Sequence, residues 1–124
     1  MTSILLVDDE RMITGPLARA LTQAGYQVTV ADNGRDGLAL AREKQPDVVV
    51  LDVMMPRKDG YEVCAQLKSD SAFSGIPVIL LTAVGSAVNS TSYTHRDGMT
   101  TEADEYIAKP VDLDQLAELV AELA

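Results

Sequence analysis

The chain has 124 residues, 47% of them hydrophobic, and 19 acidic side chains against 10 Lys and Arg give it a formal charge of -9. It is the size of one ordinary domain, able to bury a core without metal or disulfide staples, and its single cysteine, Cys64, excludes an internal disulfide. No apolar stretch is long enough for a bilayer span or a secretory signal, and the acidity disfavours nucleic acid backbone and anionic membrane. The expectation is one soluble, cytoplasmic domain over residues 1–124 that binds neither nucleic acid nor membrane directly.

In chain order, Ile4 to Val7 is a short, continuous apolar run of the kind that forms a strand buried on both faces. Met12, Ile13, Pro16, Leu17, Ala20, Leu21 and Ala24 then recur at helical spacing, and Gly25 is placed to stop that helix. Pro16 lies inside the pattern, where it removes a backbone hydrogen bond and bends or delays the helix. Tyr26 to Ala31 repeats the buried-strand theme, Gly37 to Lys44 gives a weaker helical pattern, and Val48 to Leu51 forms a third strand that ends on Asp52. Tyr61 to Ser69 is a second weak helix, in which Cys64 reads as a small packed thiol rather than a reactive one. Ile76 to Thr82 is the fourth strand and Glu105 to Lys109 the fifth. Asp112 is a cap candidate for a last helix whose apolar stripe is Leu113, Leu116, Ala117, Val120 and Leu123. Alternation of strand and helix predicts an α/β layer with a parallel sheet and right-handed crossovers.

The polar residues fall into one pattern. Asp8 and Asp9 follow the first strand, while Asp52, Thr82 and Lys109 end the third, fourth and fifth. All five stand at the carboxyl edge of a parallel sheet, where such sheets bind ligands. Three converging carboxylates repel one another unless some protonate or a cation joins them, and hard oxygen ligands in small number favour magnesium. A lysine and a hydroxyl at the same edge supply what a transferring phosphoryl group needs, leaving one aspartate free to act as nucleophile. Taken singly, Asp8 and Asp9 fit helix caps, Asp52 a turn acid and Lys109 a surface charge; their joint placement is what those readings leave unexplained.

LLVDDE, VVVLDVMMPRKDG, PVILLTA and EYIAKP together resemble the receiver domain of two-component response regulators, over essentially the whole chain. The resemblance implies a flavodoxin-like, doubly wound five-stranded parallel sheet of order 2-1-3-4-5 with helices on both faces. It implies that Asp52 accepts a phosphoryl group from a sensor histidine kinase or phosphotransfer protein, and that the chain catalyses only its own phosphoryl uptake and loss. Asp9 would be a direct magnesium ligand, Asp8 would act mainly through water, and Asp52 with the Met54 carbonyl would complete the protein ligands. Thr82 and Lys109 would contact the phosphoryl group, Tyr106 would be the switch aromatic, and Lys109-Pro110 would be cis.

A phosphohydrolase of the aspartyl-phosphate type also places a nucleophilic Asp after a parallel strand, but it carries a second acid two residues on, where this chain has Met54. A phosphorylation-independent interaction module would lack an Asp, Thr or Lys that is present here. The chain departs from the family between Thr82 and Lys109, which lie 27 positions apart. From Gly85 to Thr101, ten of seventeen residues are Gly, Ser, Thr or Asn, which predicts an extended loop or short displaced helix instead of a regular one, with His95 as a loop residue. Leu119, slightly off the last helix's stripe, fits ordinary surface or a self-association face, so a homodimer through strand five and the last helix stays open.

Met54 and Val84, two residues past Asp52 and Thr82, should flank the path of water towards an acyl phosphate at Asp52, and neither side chain can orient water. Decay of the phosphorylated form is therefore expected to be slow relative to receivers that carry polar residues at both positions. Met54→Asn with Val84→Glu should accelerate it several-fold, and equal phosphate half-lives in the two proteins would refute this role.

Overall fold

The computed structural model describes residues 2–52, 60–82, 103–109 and 111–124, without the side chains of residues 11, 13, 60 and 61. The apolar runs form β1 (Ser3–Val7), β2 (Gln27–Ala31), β3 (Val48–Asp52), β4 (Val78–Thr82) and β5 (Glu105–Ala108). The helices among the described residues are α1 (Arg11–Gln23), α2 (Gly34–Lys44), α3 (Gly60–Ser69) and α4 (Leu113–Leu123). Every strand pair is parallel and the order is β2-β1-β3-β4-β5, the expected flavodoxin-like arrangement. The chain leaves β1 towards β2 on one side and crosses back to β3 on the other. That reversal opens a crevice at the carboxyl ends of β1 and β3.

Strand alternation splits the core in two. Leu5, Val7, Val49, Leu51 and Leu80 face α2 and α3, packing with Leu38, Ala41, Val63, Cys64 and Leu67. Ile4, Leu6, Val48, Val50, Ile79 and Leu81 face α1 and α4, packing with Leu17, Leu21, Leu116 and Val120. Helices thus cover both faces, and Cys64 is a buried core thiol. Leu119 is half-buried against the α1 and α4 side, so it belongs to the inward stripe of α4.

Local signals explain most boundaries, and several expectations need correction. α1 ends where Gly25 adopts φ +101°, with Gly25 N–H donating to the Thr22 carbonyl at 3.0 Å and Tyr26 N–H to the Leu21 carbonyl at 3.1 Å, a Schellman closure. Pro16 does not delay this helix: α1 runs continuously from Arg11, five residues before the proline. α2 starts at Gly34 rather than Gly37, because Asn33 caps it by accepting the Asp36 N–H at 2.8 Å. β2 is not buried on both faces as its apolar composition suggested; it is one of the sheet's two edge strands, and Val30 remains 43% exposed. β4 begins at Val78, and β5 stops at Ala108, leaving Lys109 one residue beyond the strand. Asp112 caps α4 as expected, accepting the Asp114 and Gln115 N–H groups at 2.9 and 3.2 Å. The expectations for Met54, Val84, His95, Pro110 and the 85–101 segment fall outside the described residues.

Gly37 fits the first turns of α2 against the end of β1. A Cβ built there would lie 2.9 Å from Val7 Cγ2 and 3.0 Å from Val7 Cγ1, and Val7 is fully buried and stiff at χ1. Replacing glycine in a helix by alanine normally gains about 1 kcal/mol, whereas overpacking costs about 1–3 kcal/mol. Gly37→Ala is therefore expected to lower unfolding stability by about 1 kcal/mol in urea titration. A raised midpoint would mean that β1 yields to the added methyl.

Candidate functional site

Parallel register decides which strand-end residues meet. Val7 is level with Leu51, so the next residues, Asp8 and Asp52, come level across the gap between β1 and β3. Both are 0% exposed. The Asp8 carboxylate is aimed by its own turn: Oδ1 accepts the Glu10 N–H at 2.9 Å, and the Asp8 N–H donates to the Ala31 carbonyl at 3.1 Å. Thr82 ends β4 level with Ala108, and the Lys109 N–H donates to the Thr82 carbonyl at 2.8 Å. This places the Lys109 ammonium 3.1 Å from Asp52 Oδ1, 3.4 Å from Asp8 Oδ2 and 3.5 Å from Glu10 Oε1.

The carboxylate edge is larger than the sequence suggested. One oxygen from each of Asp8, Asp9, Glu10 and Asp52 can lie within 4.8 Å of the others, Asp9 and Glu10 being exposed while Asp8 and Asp52 are buried. Glu10 is the residue that pattern reading missed. It is the third acid of the DDE triplet, and its position as the N-cap of α1 carries it back over the crevice. An all-oxygen donor set of this density fits a hard divalent cation that keeps part of its water shell.

Burial pushes the Asp8 carboxyl up to about 6, with the hydrogen bond from Glu10 and the Lys109 charge opposing and the Asp52 charge adding to the rise. Burial alone would lower the Lys109 ammonium, but its hydrogen bond to Asp52 and the Asp8 and Asp52 charges outweigh that, and its pKa is raised. Lys109 therefore stays charged through the physiological range. The Thr82 hydroxyl, buried at 1% exposure, donates to the Ile107 carbonyl at 3.5 Å, a distance at the weak limit of hydrogen bonding. Tyr106 stands further back on β5, level with Leu80, half-buried against the α2 and α3 side of the core. Asp8, Asp52 and Lys109 thus share one site with Asp9 and Glu10 at its rim, while Thr82 ends the neighbouring strand and Tyr106 lies two residues back from that edge on β5.

A family model described as the response regulator receiver domain matches residues 4–121. The chain belongs to the response regulator receiver family. Among its relatives is the response regulator MprA of Mycolicibacterium vanbaalenii, 43% identical over 113 residues that make up 91% of this chain and 46% of MprA. The DNA-binding dual master transcriptional regulator RpaA of Synechocystis is 38% identical over 116 residues, 94% of this chain and 46% of RpaA. The receiver spans a little under half the length of these curated relatives. Chemotaxis protein CheY4 of Vibrio cholerae superposes with a TM-score of 0.85 at 27% identity, covering 100% of this chain and 99% of CheY4. The signal receiver domain of a histidine kinase from Syntrophus aciditrophicus gives 0.86 at 32% identity, over 99% of this chain and 89% of that one. Receivers serve two-component signalling as switching modules rather than as general enzymes, and they bind magnesium at an acidic pocket.

The raised Asp8 pKa sets a pH dependence. Between about 4 and about 6 the folded receiver holds a proton on Asp8 that the unfolded chain has lost, so stability falls as pH rises through that window. Asp8→Asn keeps an acceptor for the Glu10 N–H and removes the charge. Without divalent cations it should raise stability above pH 6 by on the order of 2 kcal/mol, and by little near pH 4. Thermal unfolding of both proteins across that range, with and without magnesium, checks this; a pH-independent difference would contradict it.

Proposed function

We propose that this receiver, acting as a single unit over residues 1–124, takes a phosphoryl group onto Asp52 from the phosphohistidine of a sensor histidine kinase or phosphotransfer protein. The observation that carries the reading is the Asp52 carboxylate, wholly buried yet at the carboxyl edge of the sheet, 3.1 Å from an ammonium and within 4.8 Å of three other carboxylates. A turn acid or surface charge would have no reason to be held there.

Asp8, Asp9, Asp52 and the Met54 carbonyl are the residues that would hold magnesium, whose role when bound is to offset charge on the phosphoryl oxygens. Asp52 presents a carboxylate oxygen in line with the bond between phosphorus and the donor nitrogen. As the new O–P bond forms, the P–N bond breaks and its electron pair returns to the imidazole, leaving an acyl phosphate on Asp52. Lys109 exchanges its contact with the Asp52 oxygen for a phosphoryl oxygen and so preserves the local charge balance. Thr82, weakly held at Ile107, turns its hydroxyl to the phosphoryl group, and the space it vacates admits Tyr106. A partner that distinguishes the two arrangements of Thr82 and Tyr106 reads the signal. The acidic chain itself makes no nucleic acid contact; any output through DNA belongs to another module.

An acid-labile phosphate is expected on wild type after incubation with a phosphohistidine donor and magnesium, and none on Asp52→Asn. Lys109→Ala should lower the yield at fixed time by about tenfold or more. Phosphate on Asp52→Asn at the wild-type rate, read by mass spectrometry, would sink the assignment.

A further inference from the structure

At the end of the sheet opposite the carboxylate crevice lies a second charged cluster that phosphoryl transfer does not use. Lys68, in the last turn of α3, has a side chain only 11% exposed. Its ammonium has three acceptors: the carbonyls of Ser74 at 3.2 Å and Ile76 at 2.8 Å, and Asp104 Oδ2 at 3.1 Å. That Asp104 oxygen also accepts the Val78 N–H at 2.8 Å, while the Asp104 N–H donates to the Val78 carbonyl at 2.8 Å. One clasp therefore joins the end of α3, the loop into β4 and the residue that precedes β5.

β5 needs a fixed point of this kind. It is a four-residue strand at the sheet edge, paired with β4, and 20 residues separate Thr82 from Ala103. Four residues paired on one side give the strand few ladder contacts with which to fix its own register. A slip of one position would turn Ile107 out of the core, and a slip of two would carry Lys109 about 7 Å along the strand. Either would break the 3.1 Å contact between Lys109 and Asp52.

We infer that Lys68 and Asp104 are positioning residues for Lys109: the clasp sets the register of β5 and thereby holds the Lys109 ammonium over Asp52. The inference rests on the reading of Asp52 as phosphoacceptor and of Lys109 as the group that meets the phosphoryl oxygens. Lys68 and Asp104 touch neither, and they act through one short strand.

The test uses the whole chain with acetyl phosphate and saturating magnesium, at a temperature well below every variant's unfolding midpoint. Wild type must gain phosphate on Asp52; if it does not, the phosphoacceptor reading fails, which is a separate outcome from failure of the clasp. Lys68→Met keeps the apolar stem, and Asp104→Asn keeps an acceptor for the Val78 N–H without the charge. Each is expected to slow phosphorylation by about fivefold to tenfold and to speed amide exchange at Tyr106 to Ala108. In a Lys109→Ala background, with longer reaction times, Lys68→Met should change the rate by less than twofold, because no ammonium remains to be misplaced. Unchanged rates in the two single variants, or an equal slowing with and without Lys109, would overturn the inference.

Discussion

The Lys109 ammonium lies 3.1 Å from Asp52, which ends β3, and 3.4 Å from Asp8, which follows β1, two carboxylates with no solvent exposure. Uncompensated, burial of either charge is costly, and leaving one without a cation is worse than never having placed it there. The cation comes from the far end of the chain, so β1, β3, β4 and β5 must all be in register before the carboxylates are tolerable. Assembly of the sheet and assembly of the site are one event. Among the described residues the compensation is only partial: four carboxylates face one ammonium, and burial still drives the Asp8 carboxyl up to about 6.

That remaining imbalance gives the site its chemistry. A crevice fully neutralised by protein cations would have no affinity for a divalent ion, and one with fewer acids would not hold it beside Asp52. The family match over residues 4–121 and the superposition with CheY4 place this arrangement among receivers. Within that frame, the weak 3.5 Å bond from Thr82 to the Ile107 carbonyl is informative. A hydroxyl committed to a strong internal bond would resist being drawn elsewhere, whereas this one has little to lose.

Much of this was legible in the sequence because its signals are local. Continuous β-branched runs marked the strands, Gly25 and Asp112 marked helix ends, and acids at strand ends marked the crevice. Most of the misses share a cause, namely tertiary position. Whether Gln27 to Ala31 is central or outermost depends on strand order, which apolar composition does not encode, so the exposure of Val30 came only with the topology. The start of α2 was obscured because Gly34 and Gly37 weaken the helical pattern, although Asn33 was available as a cap. Glu10 was passed over because nothing in a single acid shows that a helix start will turn it back towards a lysine 99 positions away. The clasp of Lys68 and Asp104 was invisible for the same reason, since its partners are 36 positions apart.

The proline inside α1 divides that helix unequally. Pro16 has no N–H, so the Met12 carbonyl has no partner one turn on; the N-cap, Glu10, makes no side-chain bond to the helix; no acid stands in the first turn; and Met12 is 89% exposed. Beyond the proline, Leu17 and Leu21 are buried and the Schellman closure secures the end. Thr14 is already buried before the proline, so the least secured part of α1 is its first turn. That first turn is the one that follows directly from Asp8, Asp9 and Glu10, so the acidic rim of the crevice is continuous with the part of α1 that has the fewest ties to the core.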